Sequence, residues 1–217
     1  MDRNNIFFSG NNWVIKEKLD INFLNKLRSN IENYCQTTKP IKKDLTDTKV
    51  LDLSTIGKNS NQYNITKKIC NKEFLKNLNE YILICESICK DYSLILEEKK
   101  FIMTAGWTVI GGKGGFHTIH DHRARDGICS ILYLRCEKEM ITPFGSSYFV
   151  LNSECTNSKI LNNPKIATIE PEEGNIILFP SYVLHGTYPQ TVTSRQTLNL
   201  DYDVVDHTNF ENSIQYS

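Results

Sequence analysis

Side chains of metal-ligating type stand at a usable spacing in His120-Asp121-His122. Successive side chains of an extended segment alternate faces, so His120 and His122 point one way and can reach one ion, while Asp121 points the other. His117 falls by the same count on the face of Asp121 and reads as a surface or loop histidine. An H-x-H pair alone is a weak signal. It gains meaning from His185, which ends the run GNIILFPSYVLH, where Gly174 opens a turn and Pro180 closes a buried strand. Two ligands close together and a third from a distant strand are what a metal site in a β-barrel requires. Imidazoles with open coordination positions suit iron, and to differing degrees zinc, copper, nickel or manganese. Ten residues past His185 come Arg195 and Thr197, two apart and so on one face of a strand. In isolation such an arginine would do no more than close a surface ion pair. In register with a candidate ligand, a guanidinium beside a hydroxyl suits a carboxylate, through charge-assisted hydrogen bonds that can be bidentate.

These residues need a frame, and the texture of the chain changes near Lys100 to supply one. Beyond it, FIMTAGWTVI, GGFHTIHDH, GICSILYLRC, SSYFVLN, KIATIEP, GNIILFP, YVLHGTYP and SRQTLNLDYDVV are short β-branched and aromatic runs bounded by Gly, Pro, Asn or Ser. Strands at this density predict a sandwich, jelly roll or barrel over 101–205, with a polar tail over 206–217 that carries His207. Residues 1–100 read as a helical part of the same unit. Asp20 is a candidate N-cap for INFLNKLRSNIENYC, and a longer helix runs through KEFLKNLNEYILICESICKDYSLIL. The stretch KVLDLSTIGKNSNQYN between them reads as an irregular connection with one short extended piece. The two helices are expected to cover one sheet face. No repeat or linker divides the chain, so one domain over 1–217 is expected.

Composition excludes more than it assigns. The 25 Lys+Arg balance 25 Asp+Glu, which speaks against binding nucleic acid through bulk electrostatics. The balance hides a mild asymmetry, 17 Lys+Arg against 13 Asp+Glu up to Lys100 and 8 against 12 after it. No apolar run approaches the roughly 20 residues that span a bilayer, and the start lacks a secretory pattern. The seven cysteines are scattered and set in apolar context. They read as reduced core thiols, Cys85 and Cys89 included, of a cytoplasmic protein.

Taken in order, GWTVIGGKGGFHTIHDH, CSILYLRC, EEGNIILFPSYVLHGTYP and SRQTLNLDY resemble four motifs of the 2-oxoglutarate/Fe(II)-dependent oxygenases, in particular the small bacterial and phage type. The resemblance spans Gly106 to Tyr202. It implies a mainly β fold, a double-stranded β-helix (jelly roll or cupin-like barrel) with the N-terminal helices packed on one sheet. It also implies Fe(II), with 2-oxoglutarate as co-substrate and O2. The expected reaction hydroxylates or otherwise oxidises a substrate C–H bond and releases succinate and CO2.

Position by position, His120 and His185 match metal ligands. Arg195, helped by Thr197, matches the anchor of the distal 2-oxoglutarate carboxylate, and Tyr133 stands where a tyrosine reaches the co-substrate. Most of the superfamily has H-x-D or H-x-E, and this chain departs from it. Either His122 is the third ligand or Asp126 supplies it. Trp107, Phe116 and Phe179 are candidates for shielding the site. The competing readings are a cupin-type metal enzyme that does not use 2-oxoglutarate, favoured by the spacing of His120, His122, Asp126 and His185, and a metal- or ligand-binding module without turnover. The expected partner is a small-molecule or peptide substrate, selected by the loop Ser153 to Pro164, the basic turn of Arg123 and Arg125 and the helical N-terminal part. No pattern sets the oligomeric state.

Overall fold

The computed structural model describes residues 5–9, 12–41, 60–66, 68, 70–122, 127–139, 141–151 and 165–206. In chain order its elements are β1 (Ile6–Ser9), β2 (Asn12–Lys18), α1 (Ile21–Thr37), β3 (Ser60–Asn64), α2 (Lys72–Asp91), β4 (Lys99–Gly111), β5 (Gly127–Cys136), β6 (Ser147–Val150), β7 (Ile166–Ile169), β8 (Asn175–Pro180), β9 (Leu184–Thr187) and β10 (Arg195–Asp206). Asp126, Arg123, Arg125, Cys155, His207 and the loop Ser153 to Pro164 lie outside the described residues. The strands form a seven-stranded sheet, β1-β2-β8-β5-β10-β4-β3, and a three-stranded sheet, β7-β6-β9. All pairings within them are antiparallel.

The helices start where the sequence says they should. Asp20 accepts hydrogen bonds from the backbone N–H groups of Asn22 and Phe23, at 3.0 Å each, and Asn71 accepts one from Phe74 at 2.8 Å. The apolar stripes Leu24, Leu27, Ile31 of α1 and Phe74, Leu78, Cys85, Cys89 of α2 are buried in one cluster with Leu132, Leu198 and Leu200 of the large sheet. α2 ends at Asp91, short of the expected Leu96. Ser93 adopts a left-handed φ of 57°. Its N–H returns to the Lys90 carbonyl and that of Leu94 to the Cys89 carbonyl, the paired bonds of a Schellman stop.

The first hundred residues hold more than helices, because β1, β2 and β3 extend the large sheet at both edges. β2 shows why alternation was hard to see there. Val14 and Ile15 are neighbours, and both have no exposure. Val14 packs into the cluster between the two sheets, with Phe149 and Phe179, while Ile15 packs under the helices. A strand covered on both faces has no polar side to betray its period.

The segment GGFHTIHDH departs further from expectation. It forms no strand, only an isolated antiparallel bridge between His120 and His185. That bridge lays the segment against β9, as an outer neighbour of the small sheet.

Candidate active site

The bridge explains the first convergence. His120 and His185 exchange two backbone hydrogen bonds, both 2.9 Å, so they are directly opposed and their side chains leave on the same face. Their ring centroids are 4.3 Å apart. His122, held by its backbone N–H on the Ser181 carbonyl at 2.8 Å, brings its ring centroid within 5.3 Å of His120 and 5.2 Å of His185. A ring nitrogen of each of the three lies within 4.8 Å of one from each of the others. β9 approaches this segment so closely that a Cβ on Gly186 would meet the Tyr148 hydroxyl at 2.4 Å and the His117 carbonyl at 2.9 Å.

The second nitrogen of each ring is already committed. Nδ1 of His120 lies 2.8 Å from the Thr118 carbonyl, Nδ1 of His185 lies 2.9 Å from the Val183 carbonyl, and Nδ1 of His122 lies 2.9 Å from Oδ1 of Asp201. A carbonyl can only accept, so the proton sits on Nδ1 and the lone pair on Nε2. Burial lowers the pKa of His120 and pulls that of His185 well down, with the neighbouring histidines adding to it for His185. These two imidazoles are thus held neutral, the form that binds a metal. Three imidazoles with nitrogens converging on one point fit a first-row transition ion with positions left open.

The other end of the same cavity is built by β10. Arg195, Thr197, Asn199 and Asp201 line it, every second residue of the strand, while Leu198, Leu200 and Tyr202 face the helices. Arg195 is only 6% exposed. Its guanidinium donates to the Gly145 carbonyl and, at 3.4 Å, to Oγ1 of Thr187. Among the described residues no carboxylate stands at ion-pair distance from it. A buried cation bonded only to neutral oxygens lacks its counter-charge.

Tyr133, fully buried on β5, is the ladder partner of Thr197, and its hydroxyl lies 2.7 Å from that of Ser147. Burial raises its pKa, although Arg195 opposes the rise, so the phenol keeps its proton. A phenol, a threonine hydroxyl and an unpaired guanidinium on adjacent strands make a pocket for one end of a dicarboxylate.

His120, His122, His185, Arg195, Thr197 and Tyr133 therefore share one cavity. Trp107 and Phe179 line it too; Phe116 does not. His117 lies in a loop, as expected, and outside the converging set. It lines the cavity, its ring centroid 6.3 Å from His120, because face parity holds only along a strand and this segment is not one. Sequence reasoning missed Ser147, Asn199 and Asp201. The polar-at-every-second-residue pattern of RQTLNLD was the signal for the last two.

Residues 105–201 match a family described as "Putative 2OG-Fe(II) oxygenase". Over this stretch, a little under half of its length, the chain is similar to the 2OG-Fe(II) oxygenases. No curated protein matches the sequence. Among solved structures the chain is similar to a Pseudomonas putida prolyl-4-hydroxylase, with a TM-score of 0.54 and 16% identity over 87% of this chain and 91% of the other. It is similar to a prolyl hydroxylase from Trichoplax adhaerens in complex with a hypoxia inducible factor peptide fragment, at 0.59 and 15% over 93% and 85%. HygX from Streptomyces hygroscopicus, with nickel and 2-oxoglutarate bound, gives 0.60 and 11% over 87% and 82%. At such identities the likeness is one of fold, the double-stranded β-helix. The chain thus has the mainly β fold with helices on one sheet that the motifs implied. Among the described residues no helix is long and apolar enough to cross a membrane.

Proposed function

We propose that the chain is a 2-oxoglutarate-dependent dioxygenase in which His120, His122 and His185 hold Fe(II), and Arg195 anchors the distal carboxylate of 2-oxoglutarate with help from Thr197 and Tyr133. The observation that carries this reading is the buried Arg195, without a carboxylate among the described residues, in the same cavity as three converging imidazoles. A metal site alone would not need that cation. A ligand that chelates a metal at one end and carries a carboxylate at the other satisfies both.

Bound iron with 2-oxoglutarate and O2 supplies the oxidant, with succinate and CO2 as co-products. What the chain itself contributes is positioning and a dry site. Nδ1–H bonds to Thr118 and Val183 fix the rings of His120 and His185. Phe149 stacks on His185, centroids 6.0 Å apart, and Phe179 meets it from a tilted angle at 4.6 Å. These rings keep water from one side of the site, where electrostatic attraction between Arg195 and a carboxylate is strengthened by low polarity. The cavity opens past Trp107 and His117 toward Gln62 and Asp121, and this mouth is where a substrate would enter. The fold serves a peptide in the Trichoplax complex and hygromycin B in another HygX complex. A peptide or small-molecule substrate in a cytoplasmic setting is the reading for this chain.

The test is succinate release from 2-oxoglutarate with Fe(II) and ascorbate, together with calorimetric binding of 2-oxoglutarate to the Fe(II)- or Ni(II)-loaded protein. Arg195→Ala should abolish binding at concentrations that saturate the wild type. A loaded protein that ignores 2-oxoglutarate overturns the reading.

A further inference from the structure

The three histidines are not held alike. His120 and His185 are fixed by the chain near them: they clasp each other through their backbones, and each Nδ1 bonds the carbonyl two residues earlier. The ring of His122 is instead tied to a side chain 79 residues on, Asp201 of β10. Asp201 is 9% exposed, and among the described residues His122 is its sole ion-pair partner.

The backbone at Asp201 is also special. The β10–β4 ladder shifts register between Asp201 and Tyr202, which pair with Ala105 and Met103. Thr104 is therefore the extra residue of β4, and its hydroxyl bonds the Asp201 carbonyl at 3.2 Å. Bulges of this kind re-aim side chains beside functional sites. Here the bulge falls at the residue of β10 that reaches His122.

We propose that Asp201 is a positioning residue for the metal centre, which acts through His122 by holding its Nδ1–H and by placing an anionic charge one imidazole out from the ion. This rests on the metal-site reading above. Iron sites with two imidazoles and a carboxylate carry their anion on the metal; three imidazoles carry none. The Asp201–His122 pair restores a negative charge at a remove, because a carboxylate that accepts from Nδ1–H makes Nε2 a stronger donor. It also joins the metal end of the cavity to the strand that bears Arg195. Cys129 Sγ lies 3.4 Å from the same Nδ1, so His122, Cys129 and Asp201 form a second cluster of ligand type. The 2.9 Å between Nδ1 and Oδ1 is that of a hydrogen bond; two ligands on one tetrahedral ion stand about 3.3 Å apart. Asp201 is thus a partner of the imidazole.

The experiment uses the full chain, with Ni(II) and Co(II) as probes. Chelator competition gives the affinities, Co(II) absorption reports the ligand field, and the melting point of the metal-free protein reports the fold. Asp201→Asn keeps the shape and an acceptor but removes the charge. It should weaken metal binding about 10- to 100-fold, shift the Co(II) bands and leave the metal-free melting point within a few degrees. In a His122→Ala background the same substitution should change the metal affinity less than threefold, since its route to the ion is gone. Asp206→Asn, on the same strand but ion-paired to Lys99 at the surface, should do nothing to binding. Unchanged affinity in Asp201→Asn, or an undiminished loss in the His122→Ala background, overturns the proposal. A wild-type chain that binds neither metal overturns the metal-site reading itself, and this proposal with it.

Discussion

The two faces of the large sheet follow opposite rules. On the helix side every buried polar group named here meets a partner. Glu86, only 5% exposed, accepts from Lys90 at 2.8 Å, from Lys100 at 3.1 Å and from the Phe101 N–H at 3.0 Å. Asn77 donates to Asn30 between the helices at 2.6 Å, and Ser130 and Tyr202 share a bond of 2.8 Å. On the cavity side Arg195 has no carboxylate partner among the described residues, and three imidazoles keep a nitrogen each for something outside the chain. The same strands serve both faces. One face pairs most of its buried polar groups within the chain, the Tyr81 hydroxyl excepted, and so stabilises it; the other leaves the Arg195 charge uncompensated among the described residues, a cost in stability that a ligand recovers on binding.

That contrast can be broken by experiment, most severely at the ligands. His185→Ala should reduce succinate release to background while far-UV circular dichroism stays native; loss of the fold would put His185 in the structural class. Arg195→Met is the sharper case. It should weaken 2-oxoglutarate binding by 10²-fold or more, of the order of 2–5 kcal/mol for a charge pair lost, yet hold or raise the melting point of the ligand-free protein, since it replaces an unpaired buried cation by an apolar side chain. A melting point several degrees lower would mean that Arg195 is a structural residue after all. Across the sheet, Leu200→Ala should destabilise by about 2–5 kcal/mol in denaturant titration with the affinity for 2-oxoglutarate unchanged in the folded fraction.

A smaller effect belongs to Glu86→Gln, about 1–3 kcal/mol, and it should depend on pH. Burial alone would raise the Glu86 pKa, but bonds from Lys90, the Phe101 N–H and Lys100 outweigh burial and leave it below the ordinary 4.5. Its contribution is then full above pH 4.5 and fades as acid protonates the folded carboxylate. Unfolding curves of wild type and Glu86→Gln should converge in that range. A difference that persists at lower pH would assign the loss to packing instead.

How much of this could be read from the chain differs between the same two faces. The helix stripes and the cap Asp20 are local signals, and α1 and most of α2 followed from them; the cap Asn71 came from the structure. The strands of the second half were legible as runs because turn residues bound them. β2 was hidden by two-sided burial, and its Lys16-Glu17-Lys18 end reads as surface. In the cavity, His120, His185, Arg195 and Thr197 came from spacing, and Tyr133 from the family resemblance. The alternation in RQTLNLD sets Asp201 on the face of Arg195, but its pairing with His122 was invisible until β10 was seen to lie beside that ring, since no spacing rule links residues 79 apart. His117 is a loop histidine as expected, yet it lines the cavity, because strand parity was applied where only one bridge forms.

That lone bridge has a consequence for motion. β10, which bears Arg195, lies between long ladders to β4 and β5 in the interior of its sheet, whereas the segment bearing His120 and His122 is fastened by a handful of bonds. Local opening should be far easier there than at β10. An ion that gathers His120, His122 and His185 would act as a clasp across 65 residues of chain. It would quench fluctuations of the 117–122 amides while leaving those of β10 nearly as slow as before, a pattern of hydrogen-exchange protection confined to one edge of the barrel.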